Sequence, residues 1–393
     1  VNLVWLSADP VVEGALGVTD RIEGARYFAR RGDRVLMVTG GANDDRPCDG
    51  VPTRIVPARY VPFIAWLTLW PRVLRALQDL PFRADAVISD FGLLPPAMRW
   101  RRTLAPASRP AVVLDVRSHP VEAGALRLAA QRARFAMTLR TYGHAADAVT
   151  TIGPELRNHV ARLAGIPVEP IGIWTSGCAW CDRAPDVSGD DPLPADLRGR
   201  FVVLYHGMIT AGRGLADAIR GVAIAGRSAP DLTLVLLGDG GARRELERLV
   251  ARLGATGHIR FLDPVPHDRV PAFLRTADVG LAPWPPSWDM QANRPLKLTE
   301  YLCSGLPVVM TDITPHRIVP HDASFAFWAG DGTPEAFASA ILSARAVGPE
   351  LRGRGRLAAA WAAPRLGWSR QFEILEDTVH RCLARRGSDA IRR

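Results

Sequence analysis

Lysine is nearly missing from this chain: one stands against 48 arginines in 393 residues. Where arginine has replaced lysine as the generic cation, Lys297 marks a position that calls for a compact ammonium rather than a flat guanidinium fork. Long apolar runs are missing too, and none approaches the roughly eighteen residues that a membrane-spanning helix needs. The first residues read as a buried strand rather than a basic, cleavable leader, so no signal peptide is expected. Cysteine is sparse and odd in number, five in all, which points to a reduced cytosol. Cys178 and Cys181 form a CxxC, but Cys48, Cys303 and Cys382 supply no second pair at ligand spacing, so no zinc site is expected. No Asp-x-Asp follows a strand; Asp44-Asp45 and Asp190-Asp191 lie in polar loops and read as solvated. No well-formed G-x-G-x-x-G follows the first strand, which argues against a nicotinamide dehydrogenase. Low-complexity tracts and short repeats are absent.

What is present is a folded chain, 48% hydrophobic and long enough for two domains. Its net charge is +9. Two readings stay open for that charge. It is a cationic surface set by an arginine-rich composition, or it draws the protein to an anionic membrane surface or substrate. Nucleic acid is not expected as a partner, because no recognition module accompanies the charge.

Strand signals at Leu3–Ser7, Arg34–Thr39, Arg54–Pro57, Ala86–Ser89, Val112–Asp115 and Ala148–Ile152 are interleaved with helical patterns. Ile173–Arg200 is rich in Pro, Gly and Asp with little periodicity and reads as a linker. A second alternating series starts at Phe201 and runs to Thr311. A last amphipathic helix spaces Phe372, Leu375, Val379 and Leu383. The fold class is therefore α/β, with two doubly wound, Rossmann-like domains expected over residues 1–170 and 171–365 and a C-terminal helix over 366–393. Ligands of such sheets sit beyond the carboxyl ends of the strands, so two of them facing across a cleft suit a two-substrate reaction.

The lone lysine lies in Asn293-Arg294-Pro295-Leu296-Lys297-Leu298-Thr299-Glu300-Tyr301-Leu302, closed by Gly305-Leu306-Pro307-Val308-Val309. Pro295 fits a first helical position, Gly305 a C-terminal cap, and Pro307 a point where a helix cannot continue. Lys297 then falls in the first turn, beside free backbone N–H groups, with Glu300 one turn on along the same face. Cation plus amides bind an anion, and the carboxylate can hold a diol. The pair reads as diphosphate plus ribose.

Further motifs keep a fixed order with that helix. They are Tyr205-His206-Gly207-Met208, Gly212-Arg213-Gly214, Leu237-Gly238-Asp239-Gly240, Phe261-Leu262-Asp263-Pro264-Val265 and Thr276-Ala277-Asp278-Val279-Gly280-Leu281-Ala282-Pro283. Together they resemble a retaining bacterial GT-B glycosyltransferase of glycosyltransferase family four. The first half is similar through Ala29-Arg30-Arg31-Gly32-Asp33-Arg34-Val35, Val113-Leu114-Asp115-Val116-Arg117 and Ala146-Asp147-Ala148-Val149-Thr150-Thr151. The resemblance implies a C-terminal domain that binds a nucleotide-sugar, an N-terminal domain that binds the acceptor, and a final helix crossing back to the first domain. It implies that Glu300 holds the ribose, backbone near Pro264 and Val265 reads the base, and Lys297 with Arg213 neutralises the diphosphate. Gly17 and Gly207 let backbone approach the phosphates, and Gly238, Arg294 and Leu296 complete the donor site. Departures are visible as well. Ala292 replaces the first of two glutamates, Met208 stands where arginine is common and Arg213 where lysine is. Arg117, with His119 nearby, replaces a histidine. These departures resemble a subgroup that makes bacterial surface or secondary-metabolite glycans.

The chemistry implied is transfer with retention, in which the leaving phosphate takes the acceptor's proton and neither metal nor cofactor is required. Lys297, Arg213 and the helix terminus meet the charge on the departing diphosphate. His119 is the candidate for touching the sugar or assisting the proton, or it is a loop histidine without a role. Asp115 is an alternative base or a structural carboxylate. Arg117 is an acceptor-phosphate contact or a strand-end ion pair. Acceptors in view are sugars, lipid-linked sugars or small molecules, at a cytoplasmic or peripheral inner-membrane location. The aromatic stretch from Tyr60 to Pro71, followed by Arg72 and Arg75, is either a core helix or a segment that dips into a bilayer interface. Alternatives to transfer are a nucleotide-sugar 2-epimerase and a degenerate GT-B scaffold.

Overall fold

A computed structural model describes residues 1–10, 18–41, 50–57, 65–121, 125–182 and 192–391. Two units emerge from its contacts, Val1–Thr175 with the C-terminal residues from Trp368, and Ser176–Gly367. The first begins β1 (Asn2–Ser7), α1 (Thr19–Arg30), β2 (Arg34–Gly41), β3 (Thr53–Pro57), α2 (Ala65–Gln78) and β4 (Ala86–Ser89). It continues through α3 (Leu94–Thr103), β5 (Ala111–Val116), α4 (Ala125–Tyr142), β6 (Ala148–Thr151), α5 (Pro154–Ala164) and β7 (Gly172–Ile173).

These strands form a parallel sheet in the order β3-β2-β1-β4-β5-β6-β7. Runs such as Leu3-Val4-Trp5-Leu6 and Val112-Val113-Leu114 are apolar on both faces because both faces are covered. Val4, Leu6, Val87 and Leu114 join one core with side chains of α2, α3, α4 and α5. Their neighbours Leu3, Trp5, Ile88 and Val113 join another with α1 and the C-terminal helix.

The second unit opens with α6 (Ala179–Asp182), β8 (Phe201–His206), α7 (Leu215–Ala225), β9 (Leu232–Leu237), α8 (Arg243–Arg252) and β10 (Ile259–Leu262). Next come α9 (Val270–Thr276), β11 (Val279–Ala282), α10 (Trp288–Gln291), α11 (Leu296–Cys303) and β12 (Val308–Met310). It ends with β13 (Ala326–Trp328), α12 (Pro334–Ala346) and α13 (Leu351–Leu366). The sheet is parallel in the order β10-β9-β8-β11-β12-β13. Both sheets reverse strand order beside their first strand, between β1 and β4 and between β8 and β11, where diverging connections leave a crevice at the carboxyl ends.

The last helix, α14 (Trp368–Ile391), belongs to the first unit's core. Phe372, Leu375 and Val379 are buried there, each such side chain worth about 1.5–3 kcal/mol of burial. Tyr27 donates to Glu376 at 2.9 Å and the Thr175 N–H to Gln371 at 2.8 Å.

Two expectations change. The stretch Ile173–Arg200 is not plain linker, because Ile173 ends β7, α6 lies within it, and Leu193 and Leu197 are buried in the second unit's core. Nor are the cysteines all reduced, since Cys181 of α6 is bonded to Cys303 at the end of α11, with Cα atoms 5.2 Å apart. A separation of 122 residues hides that pairing from any reading of spacing. Cys178 and Cys382 are free and buried.

Candidate active site

The lysine helix is fixed at both ends by its sequence. Pro295 has extended backbone (φ −80°, ψ 107°) and stands outside α11 as its N-cap, so Leu296 opens the helix one residue later than expected. At the other end the Leu306 N–H donates to the Tyr301 carbonyl and the Gly305 N–H to the Leu302 carbonyl, with Gly305 left-handed at φ +70°. That paired closure satisfies carbonyls the helix would otherwise strand. Tyr301, buried at the helix centre, donates to the Leu281 carbonyl at 3.3 Å and accepts from the His206 N–H at 3.4 Å. A Cβ on Gly280 would run into the Tyr301 ring, so the bare glycine lets α11 lie close against β11. The helix is thereby anchored to the two strands that flank the crevice.

Lys297 occupies the first turn of α11 and is only 7% exposed. Its Nζ lies 3.8 Å from the centre of the Tyr205 ring, a cation–π contact that offsets part of its desolvation. A cation at a helix N-terminus opposes the helix dipole, so ammonium and dipole together favour an anion. Gly207 follows β8 with φ +109°, and a Cβ there would stand 3.8 Å from Lys297 Nζ.

The β8–α7 loop that starts at Gly207 is pinned on both sides. Gly238 has φ +145°, and a Cβ on it would collide with the Gly207 carbonyl oxygen. The Gly207 N–H donates to the Leu237 carbonyl at 2.9 Å and the Ile209 N–H to the Asp239 carbonyl at 2.8 Å. At the far end a Cβ on Gly214 would strike the Pro283 carbonyl oxygen. Between these clamps Arg213 donates through Nε to Thr210 at 3.1 Å, its guanidinium 5.8 Å from the centre of the Trp284 ring. Gly207, Gly238, Lys297 and Arg213 are thus brought to one end of the second sheet.

Glu300 is 3% exposed and has imidazoles at both oxygens. His267 Nε2 is hydrogen-bonded to Oε1 at 2.6 Å. His206 Nε2 lies 3.2 Å from Oε2, outside hydrogen-bond geometry. Burial pushes the Glu300 carboxyl up, but His206, His267 and Lys297 outweigh it and hold the group below the usual carboxylate range. Burial lowers His206 to about 4, so it is neutral near pH 7. His267 moves the other way, raised chiefly by its hydrogen bond to Glu300. His267 also stacks on Trp180 of α6, centres 5.3 Å apart.

Pro264 and Val265 lie in the loop between β10 and His267, which the His267–Glu300 bond ties to α11. Arg294 donates to the Pro315 carbonyl at 3.0 Å, and Leu296 is half-buried. Ala292 is buried and Met208 exposed, and neither side chain carries charge. Gly17 lies outside the described residues.

In the first unit, Asp115 and Arg117 are together. Asp115 Oδ1 accepts from Thr150 at 2.7 Å and from the Trp174 indole at 3.0 Å, and burial raises its pKa to about 6. Arg117 donates to Asp20 at 2.8 Å and to the Trp174 carbonyl at 2.6 Å, the strand-end ion pair of the two readings. His119 is buried, its ring centre 5.4 Å from those of Phe135 and His159.

Sequence reasoning missed His267, Trp180 and Trp284, and it passed over His206 although the Tyr205-His206-Gly207 run was in view. No three His, Cys, Asp or Glu side chains group at metal-ligating positions among the described residues.

Two doubly wound parallel sheets in one chain define a Rossmann-like α/β architecture, and comparisons agree. Residues 200–346 match the family described as glycosyl transferases group 1, and residues 23–173 match the glycosyl transferase 4-like domain. A 2-deoxystreptamine N-acetyl-D-glucosaminyltransferase of Streptomyces fradiae is 27% identical over 61% of this chain and 56% of its own. A D-inositol 3-phosphate glycosyltransferase of Streptomyces griseus is 34% identical over 49% of this chain and 41% of its own. A 2-deoxystreptamine glucosyltransferase of Streptomyces kanamyceticus is 33% identical over 26% of this chain and 30% of its own. The chain therefore spans between about a third and just over half of the length of these curated relatives. Among solved structures, a sucrose-phosphate synthase from Thermosynechococcus elongatus superposes with a TM-score of 0.75 at 17% identity, covering 98% of this chain and 100% of that one. HepE of Anabaena in complex with UDP and glucose gives 0.71 at 15%, covering 97% and 100%. The chain belongs to the GT-B glycosyltransferases of the family-four kind.

Proposed function

We propose that this chain moves a sugar from a nucleoside-diphosphate donor to an acceptor hydroxyl with retention of anomeric configuration. The observation that carries the reading is Lys297, a nearly buried ammonium in the first turn of α11 and beside Gly207. In the proposed reaction the bond from the anomeric carbon to the diphosphate oxygen breaks as the acceptor oxygen bonds to that carbon on the same face. The acceptor's proton passes to the departing phosphate oxygen, so no protein base has to take it. Lys297, Arg213 and the α11 amides receive the charge that builds on the diphosphate. Glu300, kept ionised by His267 and Lys297, accepts ribose hydroxyls, and backbone at Pro264 and Val265 reads the base. Gly207 and Gly238 keep the phosphate side free of side chains, with Arg294 and Leu296 at its edge. The first unit takes the acceptor, with His119 and Asp115 as its polar groups, and Arg117 stays paired with Asp20.

The Streptomyces relatives carry names built on 2-deoxystreptamine and D-inositol 3-phosphate. Both are six-membered carbocyclic polyols, which favours a polyol hydroxyl as acceptor in bacterial metabolite or glycolipid synthesis. The transfer is metal-independent in this reading and needs no cofactor beyond the donor.

The test is incubation with a panel of uridine, guanosine, adenosine and thymidine diphosphate sugars, with 2-deoxystreptamine or myo-inositol as acceptor. Expected is release of one nucleoside diphosphate, unchanged by EDTA, and a product whose anomeric proton coupling matches the donor. An inverted product would remove retention. A free 2-epimer of the sugar would point to an epimerase instead.

A further inference from the structure

The aromatic stretch after Tyr60 has no place in the sugar chemistry, and its described part, α2, belongs to a larger surface. Helices α2, α3 and α4 cover the same face of the first sheet. They are 14, 10 and 18 residues long and carry two, three and four arginines, with no aspartate or glutamate in any of them. About one residue in ten of the whole chain is acidic, 40 of 393, so three neighbouring helices without an acid do not follow from the composition of the chain at large, although Asp147 pairs with Arg101 of α3 and Asp79 follows α2. On the sheet's other side α14 mixes both signs along its length. Arg72, Arg75, Arg99, Arg102, Arg127 and Arg140 are exposed.

Apolar groups stand among these charges. Leu67 is 50% exposed, Leu126 76% and Met137 57%. Between α2 and α3 runs a groove of about 210 Å³ lined by Trp66, Leu67, Trp70, Leu74 and Pro96. Trp66 and Trp70 pack with ring centres 5.0 Å apart, and Arg99 stands 5.8 Å from the Trp70 ring centre. The Trp70 N–H is satisfied by the Gly92 carbonyl at 2.9 Å, so the ring presents no unpaired donor. The core reading of this helix also holds, since Leu69, Val73 and Leu77 are buried. One stripe of this amphipathic helix therefore enters the core, and the other offers tryptophan and leucine at the surface.

We propose that the α2–α3–α4 face docks on an anionic lipid bilayer. Guanidinium groups at head-group level and indole and leucine side chains at the acyl boundary are the two contacts an interfacial helix makes. Nucleic acid would answer the charge and leave the exposed leucines and methionine unmatched. An apolar protein partner would strand the arginines. The bilayer matches both, and the inference stands apart from the sugar chemistry proposed above.

The test is co-sedimentation of the full chain with phosphatidylcholine vesicles, with and without about 25% phosphatidylserine, at low and high salt. Binding is expected to the phosphatidylserine vesicles alone and to fade as salt rises, a comparison that needs no variant. Each arginine near such a surface contributes about fivefold. The triple variant Arg72→Gln, Arg75→Gln, Arg99→Gln, all at exposed positions, is therefore expected to bind about a hundredfold more weakly. Leu67→Ser weakens binding as well, through lost insertion. Equal binding to neutral vesicles, no binding to either kind, or an unchanged triple variant overturns the proposal. Retention on duplex DNA without vesicle binding overturns it in favour of nucleic acid.

Discussion

Replacing Lys297 with methionine keeps an unbranched chain over Tyr205 and removes only the charge. In the unliganded protein this costs little, because a nearly buried cation is exchanged for an apolar group of similar volume. The loss comes with the ligand. An ammonium about 4 Å from a phosphate charge is worth up to about 4 kcal/mol at an effective dielectric constant near 20. Discounted for phosphate desolvation to about 2.7 kcal/mol, that is about a hundredfold in affinity. At a nucleoside diphosphate concentration near 100 times the wild-type Kd, ligand stabilises the protein by about 2.7 kcal/mol. For a unit of this size that is roughly 5–11 °C in melting temperature. The same concentration is about one Kd for Lys297→Met, which leaves about 0.4 kcal/mol and roughly 1 °C. Differential scanning fluorimetry against a panel of diphosphates reads both. A variant that keeps the wild-type shift refutes the placement of the diphosphate at Lys297.

Three further outcomes are expected. Gly238→Ala puts a Cβ into the Gly207 carbonyl and holds alanine at φ +145°, so it should cost about 1–3 kcal/mol and abolish diphosphate binding; a variant as stable as wild type would show that this close approach is not required. His267 has its pKa raised, so its pairing with Glu300 contributes fully below the ordinary histidine value of about 6.5 and fades as pH rises through the raised value. The stability advantage of wild type over His267→Gln, read by urea titration, should shrink as pH rises above about 6.5, and a pH-independent difference would contradict it. Leu375→Ala, at a fully buried position of α14, should destabilise the first unit by about 2–5 kcal/mol, and a cost under about 1 kcal/mol would mean that α14 is not part of that core.

How much of this was legible in the sequence depends on whether the signal is local. Strands such as Val112–Leu114 are buried on both faces, and an uninterrupted apolar run announces that by itself. The bounds of α11 follow from Pro295, Gly305 and Pro307, each of which acts on its own backbone. Contacts between loops are a different matter. His267 reaches Glu300 across 33 positions and Cys181 reaches Cys303 across 122, and neither spacing matches a local pattern. Trp180 escaped notice because its stretch, dense in Pro, Gly and Asp, read as linker, yet α6 holds it against His267. Arg117 kept two readings because a strand-end arginine pairs equally well with a ligand or with the chain, and only the fold brings Asp20 within 2.8 Å.

The most direct measurement is the affinity of this chain for a nucleoside diphosphate against the monophosphate of the same base, by isothermal titration calorimetry. If Lys297, Arg213 and the α11 amides hold the terminal phosphate, the diphosphate binds about a hundredfold more tightly, and Lys297→Met erases most of that gap. Equal affinities for the two nucleotides, or a gap that survives the loss of the ammonium, would contradict the account.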